Sequence, residues 1–330
     1  MIRPPFIRLL AIVLVLAAFA TTPAAAQRYI CEKCGRVIEG PHFETGGRYY
    51  HPEHFTCAHC GQPITGAYTE YKGENYHSDC FKRSVALRCS LCDQVIQGEY
   101  IQDYWGNAYC KRHKDDPCCD SCSRFISPAV TGGGVRYDDG RYICAICQPG
   151  SVKDIDVVMK MIDEVATHLA SFGMEVDYAG LNVHLIGQDQ MKDLSGEHSS
   201  GLRGFTDYSH DWRIFKRAGN RKLNVYFLYG MPRMELISTI AHELAHIYQF
   251  NHGRFRNDQV FAEGSCNYAS WLVLRKYDGE NAGFFRHSLT HETDPVYGDG
   301  FRRVRTFAET EGIGAWLERL RKKKDLPRGY

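Results

Sequence analysis

Two histidines four residues apart, with a glutamate after the first, stand in Ala241-His242-Glu243-Leu244-Ala245-His246. On a helix such residues lie one turn apart on one face, about 6 Å along the axis, so both imidazoles can converge on one metal ion. Glu243 flanks that face, where a carboxylate can take the proton from a water whose pKa zinc has lowered to about 7. Surface helices also carry HExxH without metal, so a third ligand decides the matter. Glu263 comes 17 residues after His246, in Val260-Phe261-Ala262-Glu263-Gly264-Ser265-Cys266-Asn267, and opens a second helical pattern through Ala269, Leu272 and Leu274. That interval allows a turn and an antiparallel helix that returns the carboxylate to the metal. Two histidines, one glutamate and an open position make a hydrolytic zinc site. The plainer alternative for Glu263, a solvated carboxylate favoured by the helix dipole, fits its apolar surroundings less well.

Asn267, one turn on, is placed either to orient a metal ligand or to be an ordinary polar helix residue. Peptide hydrolysis also needs a donor for the developing oxyanion. The candidate is Tyr297 in the glycine-flanked Asp294-Pro295-Val296-Tyr297-Gly298, with His287, His291 and Arg302 as rivals and a core tyrosine as the alternative. The segment from Gly204 to Asp207 reads as an edge strand able to align an extended peptide by main-chain pairing.

The elements that must carry these residues form an α+β unit. After the turn at Gly230-Met231-Pro232 a helix is predicted from about Arg233 to Phe250. Ile155, Val158, Ile162, Val165 and Leu169 share one helical face, and Leu181 to Ile186 and Leu223 to Leu228 read as short strands. Gln148-Pro149-Gly150-Ser151 reads as the linker in front of this unit.

Of the 14 cysteines, 13 precede residue 148, and only Cys266 follows. With four histidines they form a repeat, CxxC then a second close pair, occurring four times. The quartets are Cys31, Cys34, His51, His54; Cys57, Cys60, His77, Cys80; Cys89, Cys92, Cys110, His113; and Cys119, Cys122, Cys144, Cys147. Each second pair follows a glycine, in GRYYH, GENYH, GNAYC and GRYIC, which predicts a hairpin turned at that glycine. Two close ligand pairs separated by a loop supply the four soft ligands of a structural zinc and staple a segment too poor in core to fold alone. A disulfide framework is the rival, but it gives no reason for the histidines. Cys118 competes with Cys119 for the fourth site, and Cys266 reads as a buried helix residue.

The composition bounds the rest. With 330 residues and 44% hydrophobic content, two or three units are expected. Lys and Arg (40) balance Asp and Glu (39), so the basic excess needed for binding a phosphate backbone is missing. Arg3 and Arg8, an apolar run from Leu9 to Ala20 and Ala24-Ala25-Ala26 read as a signal peptide cleaved after Ala26. That run is shorter than the ~20 residues that span a bilayer, so no membrane association is expected after cleavage, and the location is periplasmic or secreted.

The first cysteine group resembles tandem LIM domains, including the two-residue spacer between its sites, with His54 where cysteine is more usual. The second group departs from the pattern, with a five-residue spacer and a 21-residue last loop. Together AHELAH and FAEG resemble gluzincin-type peptidases. With the LIM-like modules in front, the chain over residues 27 to 320 is similar to the LIM-bearing peptidases related to plant organ-size regulators, the DA-one-like family. GMPRMELISTIAHELAH, FAEGSCNYASWLVL and DPVYGDGFR carry that resemblance. It implies a zinc endopeptidase acting on protein substrates, with His242, His246 and Glu263 as ligands, Glu243 as base, and LIM-like modules that bind a protein partner.

The expected layout is a signal peptide at 1–26, LIM-like modules at 27–83 and 84–148, and a metallopeptidase domain at 153–330, mainly helical and gluzincin-like with a small sheet. One catalytic and four structural zincs are expected, with protein or peptide as substrate. The alternative is a non-catalytic extracellular scaffold that binds proteins through its LIM-like modules.

Overall fold

Four times the chain makes the same turn around a CxxC pair. The amide of Cys31 bonds the Arg36 carbonyl and that of Gly35 bonds the Cys31 carbonyl, and the same two bonds recur from Cys57 and Gly61, Cys89 and Asp93, and Cys119 and Ser123. The residue directly after each CxxC pair has a positive φ, 68°, 74°, 56° and 61° in chain order, so Asp93 and Ser123 adopt the conformation that glycine takes in the first two. The glycines that introduce the second ligand pairs, Gly47, Gly73, Gly106 and Gly140, also have positive φ, and each turns a hairpin. This computed structural model describes residues 28–196, 201–207, 223–252, 259–322, 326, 327 and 329, and the backbone alone at 6–10 and 13–15. The expected signal segment and its cleavage point otherwise lie outside the described residues. No helix among the described residues is long and apolar enough to cross a membrane.

The chain divides into two compact units between residues 116 and 117. The first holds hairpins β1 (Phe43–Thr45) with β2 (Arg48–Tyr50), β3 (Tyr68–Tyr71) with β4 (Glu74–His77), and β5 (Gly98–Gln102) with β6 (Ala108–Cys110), plus the short helix α1 (Ser78–Ser84). Phe55, in the two-residue spacer between the first and second quartets, is 1% exposed and centres a small cluster with Phe43, Tyr50, Ile64 and Tyr68. Its ring lies 5.0 Å from that of Phe43 and 4.9 Å from that of Tyr68. Such a core is too small to hold the chain by apolar burial alone, which is why ligand-closed loops are needed.

In the second unit the fourth hairpin comes first, as α2 (Pro128–Thr131), β7 (Gly134–Arg136) and β8 (Tyr142–Cys144), followed by α3 (Ile155–Ser171). Strands β9 (Leu181–Ile186), β10 (Gly204–Asp207) and β11 (Leu223–Leu228) form a sheet in the order β9-β11-β10, with α4 (Gln188–Ser195) after β9. β9 runs parallel to β11, and β10 is the antiparallel edge strand. Helices α5 (Arg233–Asn251), α6 (Gln259–Leu274), α7 (Glu280–His291), α8 (Tyr297–Glu311) and α9 (Ile313–Lys322) follow along the chain. The apolar face of α3 is buried through Val158, Met161, Ile162, Val165 and Leu169, whereas Ile155 is 44% exposed at the first turn.

This division falls some thirty residues before the break in composition near residue 148. The fourth hairpin is laced to the helical unit: Arg141 Nη2 donates to the Tyr229 carbonyl at 2.7 Å, the Tyr137 hydroxyl to the Gly230 carbonyl at 3.3 Å, and the Gln188 amide to Asp139 Oδ2 at 2.9 Å. Residues 148–151 are not a loose tether either. Gln148–Gly150 is a 3-10 turn, and Val152 exchanges backbone bonds with Gly230 and Met231. Proline and glycine announce a chain reversal, and nothing in them tells a docked turn from a free linker.

Candidate metal centres

α5 and α6 run antiparallel, because partners on one fall in number as those on the other rise. Ser270 meets Ser238, Asn267 meets His242, and Gln249 meets the Ala262 carbonyl. This pairing brings His242, His246 and Glu263 together. The two Nε2 atoms are 3.1 Å apart, and Glu263 Oε2 lies 3.2 and 3.3 Å from them. Ligands held tetrahedrally at 2.0–2.1 Å from zinc are separated by about 3.3 Å, so the triangle has the size of one face of a zinc tetrahedron. Glu263 Oε2 is buried and, despite those distances, aligned with no hydrogen-bond donor. That is the geometry of atoms aimed at a common cation. Burial alone would raise the Glu263 carboxyl, but the imidazoles beside it hold it well below the ordinary carboxylate range.

Each histidine is set by its other nitrogen. Asn267 Nδ2 donates to the Tyr297 carbonyl at 3.2 Å, which turns its Oδ1 toward His242 Nδ1 at 3.0 Å. An amide oxygen only accepts, so Nδ1 carries the proton and the Nε2 lone pair faces the triangle. His246 Nδ1 lies 3.4 Å from Cys266 Sγ, which also accepts from Gln249 Nε2 at 3.3 Å. The Cys266 sulfur is within ligand reach of both histidines. It meets the outward nitrogen of His246, however, while Nε2 faces Glu263, so His242, His246 and Glu263 make the better ligand set. Burial pushes the Cys266 thiol up to about 11, against its neighbour His246.

Glu243 is 4% exposed, and its Oε2 accepts a 2.6 Å hydrogen bond from the Thr206 hydroxyl on the edge strand. A Cβ at Gly204 would stand 2.8 Å from Glu243 Oε1 and 2.5 Å from Thr239 Cγ2. Only glycine lets β10 approach α5 so closely. Thr206 was not singled out in the sequence, where nothing local relates it to a residue 37 positions away.

Tyr297 opens α8, its ring 6.3 Å from that of His242. α8 reaches this place through glycines: a Cβ at Gly264 would fall 2.2 Å from the Gly300 carbonyl carbon, and one at Gly300 2.2 Å from the Val260 carbonyl oxygen. The rivals to Tyr297 lie on α7 and α8. His291 Nδ1 donates to the His287 carbonyl at 2.8 Å, and Arg302 Nη1 to the Glu292 carbonyl at 2.6 Å.

The four quartets expected from spacing each gather their ligand atoms within 4.8 Å of one another. The fourth uses Cys119, which is buried, whereas Cys118 is exposed. Sγ to ligand distances include 3.5 Å for Cys31 to His54, 3.6 Å for Cys34 to His51, 3.4 Å for Cys60 to His77 and 3.7 Å for Cys122 to Cys144. Zinc–sulfur bonds near 2.3 Å separate two thiolates by about 3.7 Å. At two of the four histidines the second ring nitrogen is occupied elsewhere: His77 Nε2 donates to the Pro63 carbonyl at 3.1 Å, and His113 Nδ1 meets Asp116 Oδ2 at 2.7 Å, leaving His113 Nε2 buried without a hydrogen-bond partner. Burial works against the Cys31 thiolate, yet hydrogen bonds from the His51 and Cys34 backbone and from the histidine rings bring it down to about 5. The twelve quartet cysteines are not joined by disulfides. The residues present therefore fit multiple zinc ions.

The LIM domain family matches residues 31–72 and 57–117, which take in the first three quartets and stop before the fourth. Protein DA1-related 2 of Arabidopsis thaliana is 25% identical over 88% of this chain and 68% of its own length. Protein DA1 of the same plant is 25% identical over 73% of this chain and 57% of its own. The LIM domain-containing protein HDR3 of Oryza sativa subsp. japonica is 24% identical over 91% and 74%. LIM domains commonly mediate contacts between proteins. The chain thus carries a LIM domain region and is homologous to the DA1-related and HDR3 LIM proteins.

Proposed function

We propose that this protein is a zinc-dependent peptidase of the gluzincin type, acting on protein substrates that its LIM modules help to recognise. The observation that carries the proposal is the triangle of His242 Nε2, His246 Nε2 and Glu263 Oε2, with Glu243 on the same helix. Zinc held there would polarise a peptide carbonyl and lower the pKa of water. Glu243 takes the proton from the attacking water and returns it to the leaving amine. Its hydrogen bond from Thr206 holds one carboxylate oxygen in place, and burial keeps bulk water from competing. Tyr297, beside His242, is the proposed donor to the developing oxyanion. β10, last in the order of the described strands, is the proposed backbone partner of an extended peptide.

Turnover of a broad peptide library by the zinc-loaded full chain and by Glu243→Gln tests the proposal. Wild type should cleave, and the variant should keep its zinc while losing at least a hundredfold in kcat. Equal inertness of the two would favour a second reading, a LIM scaffold that binds proteins without cutting them, which the LIM match itself supports. The proposal includes export, carried by the basic start, apolar run and small residues of the first 26 positions. A mature amino terminus at Gln27 in the secreted fraction is the expected result.

A further inference from the structure

Glu235, Thr239 and Glu243 follow one another at four-residue intervals on α5 and so form one stripe along it. The segment that leads into and forms β10 lies along that stripe, making a contact at each step. Arg203 Nε pairs with Glu235 Oε1 at 2.8 Å, Gly204 fits against Thr239 and Glu243, and Thr206 donates to Glu243. Among the described residues β10 has a β-neighbour on one side only, and side chains supply these other attachments.

Arg203 makes a further contact. Its Nη2 donates at 2.8 Å to the carbonyl of Asp120, which lies inside the Cys119–Cys122 turn. That carbonyl is itself oriented, because the Asp120 amide bonds the Tyr142 carbonyl at 2.9 Å and the Asp120 carboxylate accepts from the Tyr142 amide at 2.6 Å. Tyr142 is on the strand that delivers Cys144. One largely buried guanidinium, with 21% of its side chain exposed, therefore ties the fourth cysteine quartet to both the edge strand and the first turn of α5. The two ends of this link, Asp120 and Glu243, belong to the same compact unit, whereas the other three quartets do not.

We infer that Arg203 is a positioning residue through which the fourth metal-binding hairpin holds the edge strand against the Glu243 stripe of α5. Its catalytic consequence rests on the peptidase function proposed above; its structural consequence does not. Metal at Cys119, Cys122, Cys144 and Cys147 becomes part of what shapes the His242–Glu243 site, rather than a separate recognition module.

Hydrogen exchange on the full zinc-loaded chain tests this, comparing wild type, Arg203→Ala, Arg203→Lys and Cys147→Ser. Arg203→Ala should accelerate exchange across 204–207 at least tenfold while exchange in α3 and the zinc content stay at wild-type values. Arg203→Lys can keep the Glu235 pair without the Asp120 bond and should fall between, supplying the comparison if the alanine variant fails to fold. Cys147→Ser should lose one zinc and reproduce the local change. Wild-type exchange at 204–207 in Arg203→Ala would overturn the inference, and so would acceleration spread evenly over the unit, which marks a general stabiliser. The exchange result does not depend on turnover, so an inert wild-type chain would count against the peptidase proposal alone.

Discussion

The Asn267 side chain spans from the Tyr297 carbonyl to His242 Nδ1, so one amide fixes both the tautomer of a candidate metal ligand and the start of α8. Asn267→Ala removes the acceptor and lets the imidazole rotate. Zinc affinity at this site should fall about 10–100-fold, the usual cost of losing such a partner. Competition with a graded series of chelators measures it, and the more tightly held zincs should be unaffected.

Zinc per chain follows from the ligand sets. Elemental analysis of wild type should give about five zincs, and His242→Ala, His246→Ala together about four. Near one zinc with blocked thiols would mean that the cysteines pair as disulfides. Four in both proteins would remove the fifth site.

Removing the Thr206 hydroxyl should touch the carboxylate and spare the metal. Thr206→Val keeps the shape of the strand but leaves Glu243 Oε2 without its 2.6 Å donor. Turnover should drop roughly tenfold, about the 1.4 kcal/mol of one charge-assisted hydrogen bond, with zinc content unchanged. Thr206→Ser restores the donor and should recover most of the loss.

Glycine to alanine inside a helix ordinarily stabilises by up to about 1 kcal/mol. At Gly264 the sign should reverse, since the added carbon would meet the Gly300 backbone at 2.2 Å and push α8 from α6. A loss of about 1–3 kcal/mol or more is expected, read as a lower Tm, together with weaker zinc binding because Glu263 is the neighbouring residue.

Glu164 links α3 to Arg233 at the start of α5 and to the Tyr277 hydroxyl, at 2.6 Å in each case. Burial raises its carboxyl, but Tyr277 and Arg233 outweigh this, and its folded pKa lies below the ordinary 4.5. A depressed carboxylate contributes stability that is present above 4.5 and lost as pH falls through the folded value. Glu164→Gln should therefore lower Tm at pH 7, and its difference from wild type should shrink as the pH drops below 4.5.

Much of the site can be read in the sequence because its information is local. CxxC pairs, HExxH and the alternation in Leu181–Ile186 and Leu223–Leu228 are each written within a few residues, and helix and strand periods convert spacing directly into shared faces. The interval from His246 to Glu263 is nearly as local, since one helical hairpin spans it. Tertiary structure alone decided that Cys119 rather than Cys118 opens the fourth quartet, that Thr206 meets Glu243, that Asn267 orients His242, and that the fourth hairpin belongs with the helices. These depend on how separately formed elements dock. Arg203 and Asp120 are 83 residues apart, and Tyr137 and Gly230 are 93 apart. No local propensity encodes such pairs, because each becomes favourable only once the sheet, α5 and the zinc hairpin have buried their faces against one another.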